Sequence, residues 1–234
     1  MIHVEGLSVR FGAVTAIDRL TVSFTESITG VIGPNGAGKT TLLDAIAGAV
    51  ASTGSIRLDG NEISSTAAFR RARLGVRRSF QSSLLVDELS VLDNVRLGLD
   101  ASSSDVDSDD AAGEILAALQ LERFASTVAG RLVNLERRLV GLARCLVVRP
   151  RVLLLDEPGA GLVTHEKARL AEAVKTVATE RAETTVLIEH DMDFVAETCP
   201  SVAVLNFGKL LTAGPTSDVL DDARVRAAYL GEEY

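Results

Sequence analysis

The stretch Gly33-Pro34-Asn35-Gly36-Ala37-Gly38-Lys39-Thr40-Thr41 decides the fold, because it joins an apolar strand to an apolar helix in the pattern G-x-x-x-x-G-K-[ST]. Ile28–Ile32 precede it as a strand, and Thr41–Val50 follow as a helix. Its glycines allow successive backbone N–H groups to point inward at an anion, and the helix adds its positive N-terminal end. We therefore predict that the stretch binds nucleotide phosphates, with Lys39 on the β- and γ-phosphates and the Thr40 hydroxyl on Mg²⁺.

Further strands follow in the second half of the chain. Val152–Leu155, Thr185–Ile188 and Val202–Leu205 are short, continuous apolar runs, which is typical of strands buried on both faces of a parallel sheet. The run His165–Ala182 between the first two of them has helical character. This alternation of strands and helices predicts an α/β fold.

The beginning and the middle of the chain have a different character. Ile2–Arg10 and Leu20–Thr25 alternate in polarity, and Ser55–Leu58 leads into the turn Asp59-Gly60-Asn61, so we expect an antiparallel sheet there. Residues 85–147 are predicted to be mainly helical. The whole is predicted to be one domain over residues 1–234: a phosphate-loop NTPase core with a mostly parallel sheet and an N-terminal antiparallel β-subdomain (1–84 and 148–234), and an inserted helical subdomain (85–147).

Composition limits the classes of function. The 234 residues include 24 Lys+Arg and 32 Asp+Glu, a net charge of −8 that argues against non-specific nucleic-acid binding. No apolar run approaches the roughly 20 residues that span a bilayer, and the first residues do not resemble a secretory signal. Cys145 and Cys199 are predicted to be buried thiols. Asp100–Gly113, with five aspartates, is predicted to be a solvated loop or a frayed helix start.

Acidic residues and a histidine stand at two strand ends. Asp156 and Glu157 follow Val152–Leu155, where one carboxylate can hold Mg²⁺ and the next can polarise an attacking water; alone, the pair could also cap the following turn. His190 comes just after Thr185–Ile188 and could reach a γ-phosphate. A GTPase would need an Asn-Lys-x-Asp motif, and no Asn in this chain is followed by Lys.

These motifs, in this order, resemble those of the ATP-binding-cassette (ABC) ATPase subunits of membrane transporters, and the resemblance runs from end to end. It implies that Gly33–Thr41 is the Walker A loop and Val152–Asp156 the Walker B strand. It further implies that Glu157 is the catalytic base and His190 the switch histidine.

Two more positions follow from the resemblance. Arg78-Ser79-Phe80-Gln81 is similar to the Q-loop. The resemblance implies that Gln81, together with Thr40 and Asp156, contacts Mg²⁺, and that Gln81 also contacts the attacking water. It further implies that Gln81 transmits the state of the site to the membrane subunit. Phe11 lies where the family places an aromatic residue that stacks on adenine. A core phenylalanine would look the same in the sequence.

Details of the resemblance point to a branch of the family. Glu189-His190-Asp191-Met192 and the tail Val225–Glu232 are similar to branched-chain amino-acid importer ATPases, while the lipopolysaccharide-export and urea-uptake ATPases stay open. The implied cofactors are ATP and Mg²⁺. The implied partners are a second cassette, transmembrane permease subunits that dock segment 85–147 near Gln81, and indirectly an extracytoplasmic binding protein. The expected location is peripheral, on the cytoplasmic face of the cell membrane.

The sequence departs from the family at two motifs. The place of the Leu-Ser-Gly-Gly-Gln signature holds Leu132–Arg138, with Val133 at the serine and Leu135 at a glycine. Val133 cannot donate a hydrogen bond to a phosphate, and we expect the Leu135 side chain to obstruct close backbone approach. The D-loop Gly159–Val163 carries Val163 in place of the usual aspartate.

Four interpretations remain open at this stage. The chain could pair as a heterodimer with a sister cassette, giving one complete and one weak site, which we favour over a homodimer. It could belong to a drifted subfamily that works through backbone contacts alone. It could be a regulatory subunit that binds ATP with little hydrolysis. A cassette of DNA repair or translation is a further rival, but the chain lacks the coiled-coil or tandem extensions and the basic face of such proteins.

Overall fold

Two sheets organise the chain, which the computed structural model describes over residues 1–79, 84–99 and 108–230. The strands, in chain order, are β1 (Ile2–Phe11), β2 (Val14–Phe24), β3 (Ile28–Ile32), β4 (Thr53–Leu58), β5 (Asn61–Glu62), β6 (Val76–Arg78), β7 (Val152–Asp156), β8 (Thr184–Ile188), β9 (Ser201–Asn206) and β10 (Lys209–Pro215).

The helices lie between and after these strands. They are α1 (Lys39–Ala47), α2 (Ala68–Arg73), α3 (Val91–Arg96), α4 (Ser108–Ala118), α5 (Asn134–Leu146), α6 (Thr164–Ala173), α7 (Thr179–Arg181), α8 (Met192–Thr198), α9 (Thr216–Asp221) and α10 (Ala223–Leu230). A π-helical turn, Val174–Ala178, joins α6 to α7, and short 3₁₀ turns occupy Glu122–Phe124 and Ala129–Arg131.

The larger sheet has the order β10-β9-β3-β8-β7-β6. All neighbours in it pair in parallel except β10, which runs antiparallel to β9 at one edge. The carboxyl ends of β3, β6, β7 and β8 therefore meet at one edge, where ligands bind in sheets of this kind. The smaller sheet, in the order β2-β1-β4-β5, is antiparallel. Both sheets confirm the predicted α/β fold.

Element boundaries differ slightly from the predicted ones. Strand β3 matches the prediction at both ends. Helix α1 begins at Lys39 rather than Thr41 and ends at Ala47 rather than Val50, so the predicted boundaries were wrong there. The early end has a clear cause, because Gly48 adopts φ 79° and donates its N–H to the carbonyls of Ala45 and Asp44.

Helices α3, α4 and α5 confirm helical structure over the described part of 85–147. Along α5, Leu135, Leu139, Leu142 and Leu146 form an apolar stripe that is buried in one core cluster with residues of β7. The division into a nucleotide-binding core and an inserted helical subdomain stays a prediction. Helix α4 begins inside the acidic segment, at Ser108; residues 100–107 of that segment lie outside the described residues.

Two further sequence observations concern membranes and thiols. Among the described residues, none of the helices combines the length and the apolar character that crossing a bilayer requires. Cys145 and Cys199 are buried, as predicted. Burial raises the pKa of the Cys145 thiol to about 11 and that of Cys199 to about 12.

Candidate nucleotide-binding site

The loop between β3 and α1 has the backbone shape that the sequence predicts. Gly36 and Gly38 adopt φ 77° and 97°, in the left-handed region where the backbone of any residue with a side chain is strained. At Gly38 a Cβ would also lie 2.6 Å from the Ala16 carbonyl oxygen of β2, whereas at Gly36 it would meet no atom within 4 Å. The loop therefore depends on glycine at position 38 for two reasons, strain and close approach.

Lys39 begins α1 and its side chain is buried within the loop. Its ammonium donates hydrogen bonds to the carbonyl oxygens of Gly33 at 2.8 Å and Pro34 at 2.9 Å. Burial lowers the pKa of Lys39, while the nearby carboxylates of Glu157 and Asp156 act in the opposite direction. The Lys39 ammonium thus lies against the backbone of the glycine-rich loop, at the place predicted to bind phosphate.

Asp156 ends β7 and faces the start of α1. Thr40 Oγ1 donates to Asp156 Oδ1 at 3.3 Å. The guanidinium of Arg78, from the end of β6, donates to Asp156 Oδ2 at 2.8 Å and also to Asp44 of α1. A hydroxyl and a carboxylate side by side are the hard oxygen donors that Mg²⁺ accepts, so the residues present fit this ion. Gln81, the third predicted ligand, lies outside the described residues.

Glu157 and His190 are brought together by neighbouring parallel strands. Glu157 adopts φ 47° directly after β7, and its backbone N–H donates to the Ile188 carbonyl of β8 at 3.0 Å. His190 Nε2 lies 2.7 Å from Glu157 Oε1, and the imidazole remains 40% exposed. A carboxylate and an imidazole in contact, open to solvent beside Lys39 and Asp156, form a pair that can handle a proton next to a phosphate.

Phe11 lies at the end of β1, opposite Val14 across the turn into β2. It is 52% exposed, which excludes the alternative that it is a core phenylalanine. The same β2 strand approaches the phosphate loop at Ala16, next to Gly38. Phe11 is therefore an exposed aromatic residue at the β1–β2 turn, and β2 also contacts the phosphate loop.

The signature region forms the start of α5, and no hydroxyl side chain stands at its N-cap. Val133 is the N-cap, makes no side-chain capping bond and is 62% exposed. The prediction that Leu135 obstructs this helix start was wrong, because its side chain is buried with Leu139, one turn further along. Glu136 instead places a carboxylate in the first turn, where negative charge is stabilised by the helix but repels a phosphate.

The sequence interpretation missed the contacts of Glu189 and Arg138. Glu189 Oε1 accepts a hydrogen bond from Gly159 N at 2.6 Å, and its Oε2 accepts one from His190 N at 3.2 Å. Arg138 of α5 donates to the Ala160 carbonyl at 3.1 Å. An acid next to His190 was visible in the sequence, but nothing there indicates that it reaches a loop 30 residues earlier.

Comparison with known proteins agrees with this geometry. The family model described as "ABC transporter" matches residues 19–160. The chain belongs to the ABC transporter family. The cassette is 35% identical to the high-affinity branched-chain amino acid transport ATP-binding protein BraF of Pseudomonas aeruginosa, over 99% of this chain and 98% of that protein. It is 32% identical to LivG of Escherichia coli, which has the same description, with the same shares covered.

Solved structures support the same assignment. A nucleotide-free ATP-binding cassette from an ABC transporter has a TM-score of 0.88 and 26% identity, with 99% of both chains covered. An ADP-bound conformation of such a cassette has a TM-score of 0.87 and 26% identity, again with 99% of both chains covered. The chain is thus a nucleotide-binding cassette and, as a member of this family, an ATPase of a transporter.

Substitution in the phosphate loop provides a direct test of its geometry. Gly38→Ala should weaken ATP binding at least about tenfold more than Gly36→Ala, since a clash with the Ala16 carbonyl adds to a backbone strain of 1–3 kcal/mol that both variants share. Binding of a fluorescent ATP analogue to both variants measures the difference. Equal losses would show that the approach of β2 does not constrain the loop.

Proposed function

We propose that the cassette hydrolyses ATP to drive import of branched-chain or related amino acids. The Glu157–His190 contact of 2.7 Å beside Lys39, Thr40 and Asp156 carries the hydrolytic part of this proposal. The substrate class rests on the printed descriptions of BraF and LivG, together with the motif Glu189-His190-Asp191-Met192. The cassette would work at the cytoplasmic face of the membrane, bound to permease subunits and indirectly served by an extracytoplasmic binding protein.

Each residue of the site has a definite task in this proposal. The N–H groups of Gly33–Thr41 and the Lys39 ammonium hold the phosphates, and Phe11 stacks on the adenine. Thr40, Asp156 and Gln81 would hold Mg²⁺, which would supply positive charge against the phosphate oxygens. These contacts fix the γ-phosphate at the edge of the sheet where β7 and β8 end.

Glu157 and His190 complete the proposed mechanism. The Glu157 carboxylate orients the attacking water and accepts its proton as the new bond to the γ-phosphorus forms and the bond from that phosphorus to the β–γ bridging oxygen breaks, so that ADP leaves. The His190 imidazole, which contacts Glu157 through Nε2, can donate a hydrogen bond to the γ-phosphate oxygens as their charge develops. Both residues stand on turns at the ends of neighbouring parallel strands, and the β7–β8 pairing brings these two turns side by side.

We further propose that the cassette pairs with a different, sister cassette. In this family two cassettes pair head-to-tail, and each ATP lies between one phosphate loop and the partner's signature. The signature region of this chain has an exposed Val133 side chain and, in the first turn of α5, the Glu136 carboxylate, neither of which can donate a hydrogen bond to a phosphate. A sister cassette with a complete signature would supply the missing donors to ATP bound at Lys39.

Measurement of ATPase activity tests this pairing. The purified chain alone is expected to hydrolyse ATP at least about tenfold more slowly than an equimolar mixture with the cassette encoded nearest to it, because one charge-assisted contact to phosphate is worth 1.5–3 kcal/mol. A Lys39→Ala variant of this chain in the same mixture controls for turnover by the sister cassette. Equal, robust turnover by the isolated chain would contradict the heterodimer and favour the drifted-subfamily interpretation.

A gain of activity should follow from restoring the signature hydroxyl. Val133→Ser is expected to raise the turnover of the isolated chain several-fold, about 3- to 10-fold, since an exposed N-cap serine can donate to a phosphate without disturbing the core. Val128→Ser, at another exposed N-cap valine without a side-chain capping bond, is the matched control. An unchanged rate in Val133→Ser would assign the deficit to other residues of the region, above all Glu136.

The substrate class needs an assay of its own. Uptake of leucine, isoleucine and valine into vesicles carrying the assembled transporter should depend on ATP and on Lys39. Uptake of urea instead, or outward transport of lipopolysaccharide, would overturn the substrate assignment without affecting the assignment as an ATPase.

A further inference from the structure

Glu189 is a buried carboxylate at the carboxyl end of β8, and only 4% of its surface is exposed. The mechanism proposed above does not use it. Its two oxygens are engaged separately: Oε1 accepts from the Gly159 N–H at 2.6 Å, and Oε2 accepts from the His190 N–H at 3.2 Å. One side chain therefore joins the loop after β7 to the turn that carries the switch histidine.

The Glu189 carboxylate approaches the Gly159 backbone closely. A Cβ at position 159 would lie 2.8 Å from Glu189 Oε1, so the absence of a side chain allows the carboxylate to reach the backbone. The loop 159–163 is also held from the other side, because Arg138 of α5 donates to the Ala160 carbonyl. The loop thus lies between the helix that begins at the signature region and the carboxylate beside His190.

The groups around Glu189 act on its pKa in opposite directions, and the balance raises the pKa above its ordinary value. Burial raises the pKa of Glu189, and the nearby Glu157 carboxylate raises it further, whereas the two backbone N–H donors and Lys167 lower it. Arg138 adds positive charge from α5. Lys167 is itself tied to Asp191 at 2.6 Å, so the turn at 189–191 is bound at both ends.

We propose that Glu189 is a positioning residue, which couples the loop 159–163 to His190 and thereby sets where the His190 imidazole lies against Glu157. A displacement of Gly159 is transmitted through the carboxylate to the His190 backbone, and from there to the Nε2–Oε1 contact. The kinetic consequence rests on the proposed role of His190, but the coupling itself is a property of the folded chain.

Glutamine is the diagnostic substitution, because it preserves the shape and changes the hydrogen bonding. Two N–H groups point at two different oxygens, and a glutamine side chain has only one oxygen acceptor. Its NH₂ group must therefore face one of the two N–H donors. A residue that merely filled space would tolerate this change.

NMR of the imidazole groups tests the coupling without reference to hydrolysis. The chain contains three histidines, so the His190 resonance can be assigned by its disappearance in His190→Gln. Glu189→Gln and Glu189→Ala should both shift the His190 resonances and leave those of His3 and His165 in place. Glu197→Gln, an exposed acid on α8, is the matched control and should shift none of them.

The contact between Gly159 and Glu189 can also be perturbed from the Gly159 side. Gly159→Ala introduces the Cβ that presses on Glu189 Oε1, and its backbone φ is outside the positive region, so the substitution brings no backbone strain. It should move the His190 resonance although position 159 is 31 residues away along the chain. This variant keeps the test valid if the position 189 variants fail to fold.

Kinetics of the assembled transporter supply the second measurement. Glu189→Gln should lower kcat by about tenfold to a hundredfold, the effect of misplacing a group that acts on the transition state, with the ATP Kd unchanged within about twofold. A shift of His190 with normal kcat would overturn the proposed role of His190 and leave the coupling intact. Unmoved His190 resonances in a folded Glu189→Gln and a folded Gly159→Ala would overturn the coupling itself.

Discussion

Glu157→Gln should reduce ATP turnover by the cassette, assembled with its partner, by about 10²- to 10⁴-fold, the usual contribution of a general base. The amide has almost the same shape as the carboxylate but cannot accept a proton from water at neutral pH. ATP binding should persist, because the phosphate contacts proposed above come from Lys39 and the loop backbone. Steady-state phosphate release and binding of a fluorescent ATP analogue measure the two quantities separately.

A matched control makes this experiment decisive. Glu197→Gln makes the same chemical change on an exposed position of α8 and should leave turnover within about twofold of the wild type. Undiminished hydrolysis in Glu157→Gln would refute its assignment as the base. A simultaneous loss of binding would indicate instead that the change disturbs the phosphate loop through Lys39, whose pKa already responds to Glu157.

Arg71→Met should lower the free energy of unfolding by about 2–4 kcal/mol, as expected when several buried carbonyl oxygens lose their donor. Arg71 is 2% exposed, and its guanidinium donates to the carbonyls of Ala45 and Ile46, at the end of α1, and to those of Thr66 and Ser64. It therefore ties α2 to the helix that begins at the phosphate loop. Methionine preserves much of the apolar stem but offers no donors.

Urea denaturation compares this variant with Arg70→Met on the same short helix. Arg70 is exposed and contacts the ring of Phe69 at 5.6 Å, so its replacement should cost less than about 1 kcal/mol. The midpoint should fall for Arg71→Met with an unchanged slope. Similar midpoints for the two variants would show that the buried network contributes little to stability.

Much of the site could be predicted from the sequence because its parts are local. The phosphate loop needs particular residues at fixed spacing between a strand and a helix, and those residues are adjacent in the chain. Asp156, Glu157 and His190 stand directly after buried apolar strands, and carboxyl ends of parallel strands meet at one edge. The sequence therefore predicts all three at the same edge of the sheet, near the phosphate loop.

The contacts made by Arg78, Arg138 and Glu189 could not be predicted in this way. Each joins elements distant in sequence, such as Arg78 to both Asp44 and Asp156, and an arginine at a strand end has many other possible partners. The Leu135 error has a similar origin. Its position in the motif suggested an exposed helix start, but the i,i+4 stripe with Leu139 directs its side chain into the core.

The sequence by itself thus determined the family and the α/β fold, and it predicts which residues face the nucleotide, since motif spacing and strand-end position define them. Only the tertiary structure decided how those residues are held. The 2.7 Å contact of His190 with Glu157, the Arg78 bridge and the Glu189 link to Gly159 depend on side chains that meet after the strands have paired. Apolar periodicity specifies which surface is buried, whereas the partner of a buried polar group is fixed only by the packing around it.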